Sequence, residues 1–215
     1  MKRTHPGWKS IITASLVFLA LAFADEKGDR IIEKLQKKYR AVKDATVSFT
    51  QEVKFGATGA EQSFSGTLYM KNGNRYRIEM EDQTIVTDGE SVWRYTGMNK
   101  QLLIDKYRED PRGFSAENIL VNIPERFTSV VLGKEKISDR ETLILKLTPK
   151  EERSAAKWMK LWIDEGEVIV KKIQILDLSD NLMIYSIDTI SFNTGLSAKM
   201  FHFETPDGAN VIDLR

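Results

Sequence analysis

Tyr76, Ile78 and Met80 alternate with Arg75, Arg77 and Glu79 along residues 75–80. A strand turns successive side chains to opposite faces, so this period of two predicts a strand with one apolar and one charged face. The pattern recurs in Leu143, Leu145 and Leu147, in Met159, Leu161 and Ile163, in Ile173 and Ile175, and in Leu182 and Ile184. Strands are expected over residues 46–55, 63–71, 74–80, 84–87, 91–95, 101–105, 126–132, 141–148, 157–164, 168–176 and 181–192. A short last strand is expected through Phe201 and Phe203. Asn72-Gly73 reads as a two-residue hairpin turn, since both residues tolerate positive φ, and Asp88-Gly89 marks another turn.

Two stretches depart from this alternation. Asp29 is a candidate N-cap for a helix to about Val42, with Ile31, Ile32, Leu35, Tyr39 and Val42 on one stripe. Lys34, Lys37, Lys38 and Arg40 fall largely on the other side, so the stripe needs a partner, and the sheet is the large one on offer. Residues 111–123 then interrupt the strands. Ser115 is placed to cap a short helix carrying Ile119, Leu120 and Val121 before Pro124. Such an inserted helix either covers the mouth of an open barrel or is an ordinary crossover.

Composition narrows the picture. Lys2, Arg3 and Lys9 precede an apolar run at residues 11–23, which ends in the small-x-small site Ala22-Phe23-Ala24. This reads as a secretory signal cleaved after Ala24, leaving residues 25–215 as a single exported domain. The chain has no Cys, so the signal is not a lipoprotein signal, and stability must come from the core rather than disulfides. The chain carries 32 basic and 31 acidic residues; without the three basic residues of the signal, the balance is slightly acidic. That excludes bulk nucleic-acid binding, which wants a clearly basic domain.

No catalytic or metal constellation accompanies the strands. The two histidines are His5, in the signal, and His202, which sits between Phe201 and Phe203 and is expected to face solvent. Asp105, Glu109, Asp110 and Asp139 lack metal-loop spacing. No enzyme activity, metal or cofactor is expected. Flexible methionines (Met70, Met80, Met98, Met159 and Met183) suit either an adaptable apolar site or a core.

Several short motifs occur in a telling order: Phe49-Thr50-Gln51 after the amphipathic helix, then Gly66-Thr67-Leu68-Tyr69-Met70-Lys71, then Asp88-Gly89-Glu90-Ser91-Val92-Trp93. Leu147-Thr148-Pro149-Lys150 follows, and Phe201, Phe203, Pro206, Gly208 and Val211 close the series. Together they resemble the LolA family of periplasmic outer-membrane lipoprotein carriers. The resemblance implies a mainly β fold: an open antiparallel β-barrel of roughly eleven strands, with an N-terminal amphipathic helix and a short inserted helix over its mouth. It also implies an apolar cavity for the acyl chains of lipoproteins, lined here by Phe49, Leu68, Met70, Tyr76, Ile78, Met80, Ile85, Trp93, Leu145 and Leu161. Ile31, Leu35, Ile119 and Leu120 would belong to the lid.

The implied partners are acylated lipoproteins, an ATP-driven inner-membrane transporter and an outer-membrane acceptor, served by a monomer in the periplasm. A sensor or glycolipid carrier of the same fold is the alternative. One motif departs from the family. Many of its members have Lys-Arg-Pro at the turn before the Tyr76 strand, where the Arg helps hold the lid; here the turn is Lys71-Asn72-Gly73.

Overall fold

The computed structural model describes residues 28–108, 123–151 and 154–215. Twelve strands form one sheet: β1 (Asp44–Lys54), β2 (Glu61–Lys71), β3 (Arg75–Met80), β4 (Gln83–Thr87), β5 (Ser91–Thr96), β6 (Gln101–Lys106), β7 (Phe127–Ile137), β8 (Arg140–Pro149), β9 (Ala156–Asp164), β10 (Ile169–Asp177), β11 (Leu182–Phe192) and β12 (Asn210–Asp213). Their order is β12-β6-β5-β4-β3-β2-β1-β11-β10-β9-β8-β7. Neighbours are antiparallel except β12, which runs parallel to β6. No ladder joins β7 to β12, so the sheet is unclosed. A helix, α1, spans residues 28–40, and a one-turn helix, α2, spans Ile123–Arg126. Pro124 lies inside α2, in the first turn, where its missing N–H costs no bond.

The sheet curves through bulges. Phe49 pairs with Ile187 but Ser48 with Thr189, so Asp188 is an extra residue on β11. Leu132 on β7 and Lys171 on β10 are extra in the same way. An unpaired residue bends its strand and raises the local twist.

α1 lies on one face of the sheet, here called inner. Ile31, Ile32 and Leu35 pack with Leu143, Leu145, Leu147, Met159, Leu161 and Ile163 in a buried cluster that also takes in Ile123, Phe127, Val170 and Ile175. Two polar ties hold the far end of the helix. The backbone N–H of Val170 donates to the Tyr39 hydroxyl at 3.3 Å, and Lys38 Nζ donates to the carbonyl of Glu167. Burial pushes the Tyr39 hydroxyl's pKa up against the opposing effect of that backbone bond.

A second buried cluster lies on the outer face: Val86, Trp93, Leu102, Ile104 and Phe203. The chain after β11 crosses this face. Phe201 and Phe203 do not form the expected strand. Phe201 ends a 3-10 helix, Ala198–Phe201, whose Ser197 cap accepts from the N–H of Lys199, and both rings are buried. β12, not expected from the sequence, then adds to the sheet edge with all four residues exposed.

Asp44 anchors this crossing. Its buried carboxylate accepts from the backbone N–H groups of Thr194 (2.7 Å), Gly195 (3.1 Å) and Leu196 (3.3 Å). Burial works to raise its pKa, but these donors outweigh it and hold the carboxyl below the ordinary 3.8. The folded pKa is depressed, so the stabilisation is present above the unfolded value and lost as pH falls through the folded one. Asp44→Asn is therefore expected to flatten the acid limb of the stability curve below about pH 4. Urea midpoints measured from neutral to acid pH check this; an unchanged acid limb would refute it.

The β2–β3 turn has three residues, not the expected two. Lys71 pairs with Arg75, and Gly73 (φ 85°) and Asn74 (φ 56°) take the left-handed conformation. Gly89 (φ 96°) comes close to this turn: a Cβ there would lie 2.6 Å from the Gly73 carbonyl oxygen.

Candidate functional site

Residues directly opposite in an antiparallel ladder share a face, so register alone traces the inner surface. One row runs Val47, Leu68, Ile78, Ile85, Arg94. The next runs Ala45, Met70, Tyr76, Thr87. Phe49, Gly66 and Met80 continue the surface toward the other strand ends. Gly66 is required there: a Cβ would lie 2.7 Å from the Glu79 carbonyl oxygen and 3.1 Å from the Phe49 ring. Without a side chain at 66, the Phe49 ring has room over this position.

This inner surface has two halves. Over β8–β10 it is sealed by α1, and Leu145 and Leu161 are fully buried there. Over β1–β4, Leu68, Met70, Tyr76, Ile78, Met80 and Ile85 are only half-buried. They belong to neither buried cluster. The result is a half-buried apolar strip, called the trough below, beside a packed core in one continuous face.

Polar groups on this face are few and placed. At the junction of the halves, Gln51 Nε2 donates to the Tyr185 hydroxyl at 3.1 Å, and the Tyr185 and Phe49 rings lie 6.3 Å apart. Burial raises the Tyr185 pKa, and the Gln51 bond opposes it. By register, Arg94 is the one charged residue among the inner-face positions of β1–β5. It makes no ion pair among the described residues. Tyr76 feels its charge: burial raises the phenol's pKa and Arg94 pulls it back. Such a surface offers dispersion and desolvation to an extended apolar ligand, with the Gln51 amide, two phenols and one guanidinium among its polar groups.

Residues 40–204 match the family model described as "Outer membrane lipoprotein carrier protein LolA". The chain belongs to the LolA family. A Legionella pneumophila (strain Corby) protein named outer-membrane lipoprotein carrier protein is 27% identical over 183 residues, covering 84% of this chain and 88% of that protein. The namesake from Haemophilus ducreyi is 24% identical over 211 residues, covering 96% of this chain and 95% of its own length. Among solved structures, an uncharacterized conserved protein from Thermus thermophilus aligns with a TM-score of 0.56 at 13% identity. It covers 86% of this chain and 98% of that one, a likeness of fold.

In this LolA-family chain the expected wall residues divide. Phe49, Leu68, Met70, Tyr76, Ile78, Met80 and Ile85 line the inner face together, beside Leu145 and Leu161. Trp93 does not join them. It pairs with Val86, on the side opposite Ile85, and its ring meets the His202 ring edge-on at 5.2 Å. That is a correction: Trp93 holds the outer-face crossing in place. His202 is exposed as expected, its ring edge-on to that of Trp93. Met98 is 82% exposed in a turn and lines nothing. Of the lid residues, Ile31 and Leu35 sit on the inner face through α1, while Ile119 and Leu120 lie outside the described residues. Arg75 does not replace the family's turn Arg. Its Nε donates to the Asn72 carbonyl at 2.9 Å, which folds it back on its own turn. Gln51, Tyr185 and Arg94 were not expected from the sequence, because their side of the sheet depends on the pairing register.

Proposed function

We propose that this chain is a periplasmic carrier that shelters the acyl chains of lipoproteins in the inner-face trough. The half-buried row from Leu68 through Ile78 to Ile85 carries this reading. A soluble surface does not keep a contiguous apolar strip beside an already packed core without a use for it. The names of the Legionella and Haemophilus relatives support the same cargo class. On this reading, residues 1–24 are a signal removed on export and residues 25–215 are the carrier domain, acting as a monomer. Loading comes from an ATP-driven inner-membrane transporter, and delivery goes to an acceptor at the outer membrane.

Burying one methylene is worth about 0.8 kcal/mol, so an ideal pocket for several acyl chains would never release them. A shallow trough that leaves part of each chain exposed keeps binding reversible. α1 supplies the adjustable part. Lifting it would extend the trough over Leu145 and Leu161, at the cost of breaking a packed cluster. Cargo therefore competes with the helix for the same face.

A second reading is a carrier of a lipid with an anionic headgroup. Arg94, at the end of the apolar row and without an ion pair among the described residues, favours it. Mass spectrometry of the lipids that co-purify with the exported protein separates the two. The first reading expects acylated polypeptide, absent when the cargo's lipidated Cys is changed to Ser. Phospholipid in its place, lost in Arg94→Gln, would replace the first reading by the second.

A further inference from the structure

The outer face of β8–β10 brings three lysines close together. Lys146 on β8 stands directly opposite Lys160 on β9. Lys172 on β10, opposite Trp162, is diagonal to Lys160. Like charges directly opposite across strands are destabilising. None of the three lysines has an ion pair among the described residues, whereas Lys134, Arg140 and Lys157 nearby all do. Two of the carboxylates on this side are engaged otherwise. Glu135 accepts from Trp162 Nε1 at 2.7 Å, and Asp164 binds Arg140 and the loop N–H groups of Gly166 and Glu167.

The same surface is apolar between its charges. Lys160 lies over the Trp158 ring (5.1 Å to the centroid) and Lys172 over Trp162 (4.5 Å). Val130, opposite Lys146, and the bulged Leu132 are among the most exposed large apolar residues described, at 57% and 50%. Lysines with apolar stems, set among indole rings and exposed aliphatics, match an interface with hydrocarbon on one side and negative charge in front. The crossing segment that covers the outer face near β3–β6 does not reach these strands: Phe203 packs on Trp93, Leu102 and Ile104.

We propose that the outer face of β8–β10 docks on an anionic lipid surface through Lys146, Lys160 and Lys172, with Trp158, Val130 and Leu132 at the headgroup level. The trough lies on the other side of the same sheet, so a docked chain keeps its cargo face turned from the bilayer. The proposal is independent of what the trough carries.

The test is co-sedimentation of the whole exported chain with vesicles of phosphatidylcholine alone or mixed with phosphatidylglycerol. Each lysine near an anionic surface is worth about 1 kcal/mol, so three should favour the mixed vesicles by on the order of 100-fold. The preference should vanish near 1 M salt, where the screening length is about 3 Å. The triple variant K146Q/K160Q/K172Q should sink no better with mixed than with neutral vesicles. Lys160→Arg, which keeps the charge, should bind as the parent does. Ile78→Glu, altered in the trough, should also keep the preference, which separates docking from cargo uptake. Equal binding to both vesicles, or full binding by the triple variant, overturns the proposal. So does indifference to both vesicles, which would turn attention to an acidic protein as the occupant.

Discussion

Replacing Leu161 with alanine is expected to lower the unfolding free energy by about 2–5 kcal/mol, the range for emptying a fully buried leucine site. Leu161 is wholly buried, flanked by Leu145 on β8 and Ile173 on β10, beneath α1. Its neighbours sit in a tight ladder, so the hole left behind cannot collapse easily. Urea unfolding should show the loss as a lower midpoint with an unchanged slope. A loss under about 1 kcal/mol would mean that α1 rests loosely over a partly empty space, since a poorly packed site has little to lose.

Ile78→Glu, on the same face, should do the reverse: spare folding and abolish loading. Ile78 is half-buried, between Leu68 on β2 and Ile85 on β4. In the empty protein its carboxylate would reach water. Against an acyl chain it would be a buried, unpaired charge, which costs several kcal/mol. Cargo binding should drop by about 100-fold or more, at 1.4 kcal/mol per decade. Arg94 is two strands away in the same row, so Ile78→Lys is the partner experiment: the inner-face positions of β1–β5 offer a lysine there no carboxylate, and it should fail equally. Circular dichroism and a lipoprotein-binding assay on both variants decide it. An Ile78→Glu protein that is insoluble or molten would make this half of the face a packed core, and not a trough.

Much of the sheet was legible because one face of each strand is buried. β8 shows this most plainly: Leu143, Leu145 and Leu147 are fully buried and the residues between them only half-buried, whereas β3 alternates in sequence but is half-buried along its whole length. β12 was silent for the opposite reason: it buries neither face, so no alternation was selected along it. Which side of the sheet a residue occupies depended on turn length. A two-residue turn at Asn72-Gly73 would have paired Met70 with Arg75. The three-residue turn instead brings Met70 opposite Tyr76 and unites the trough. Between β4 and β5, Thr87 pairs with Val92, which sets Ile85 against Arg94 and sends Trp93 to the far side. The bulges at Leu132, Lys171 and Asp188 shift faces in the same way, and an extra residue leaves no mark in composition. The candidate site was thus readable strand by strand, and its assembly was not.

On the proposed reading, the missing ladder between β7 and β12 bears on how one trough would admit cargoes of different girth. In a closed cylinder, strand number and stagger fix the diameter, and widening it means breaking hydrogen bonds. A sheet with two free margins changes its span by coiling or uncoiling, with every existing bond intact. Lodging a bulkier guest then costs only the soft elasticity of twist, spread over twelve strands. The fold behaves as a split sleeve, whose grip slackens gradually as it is filled.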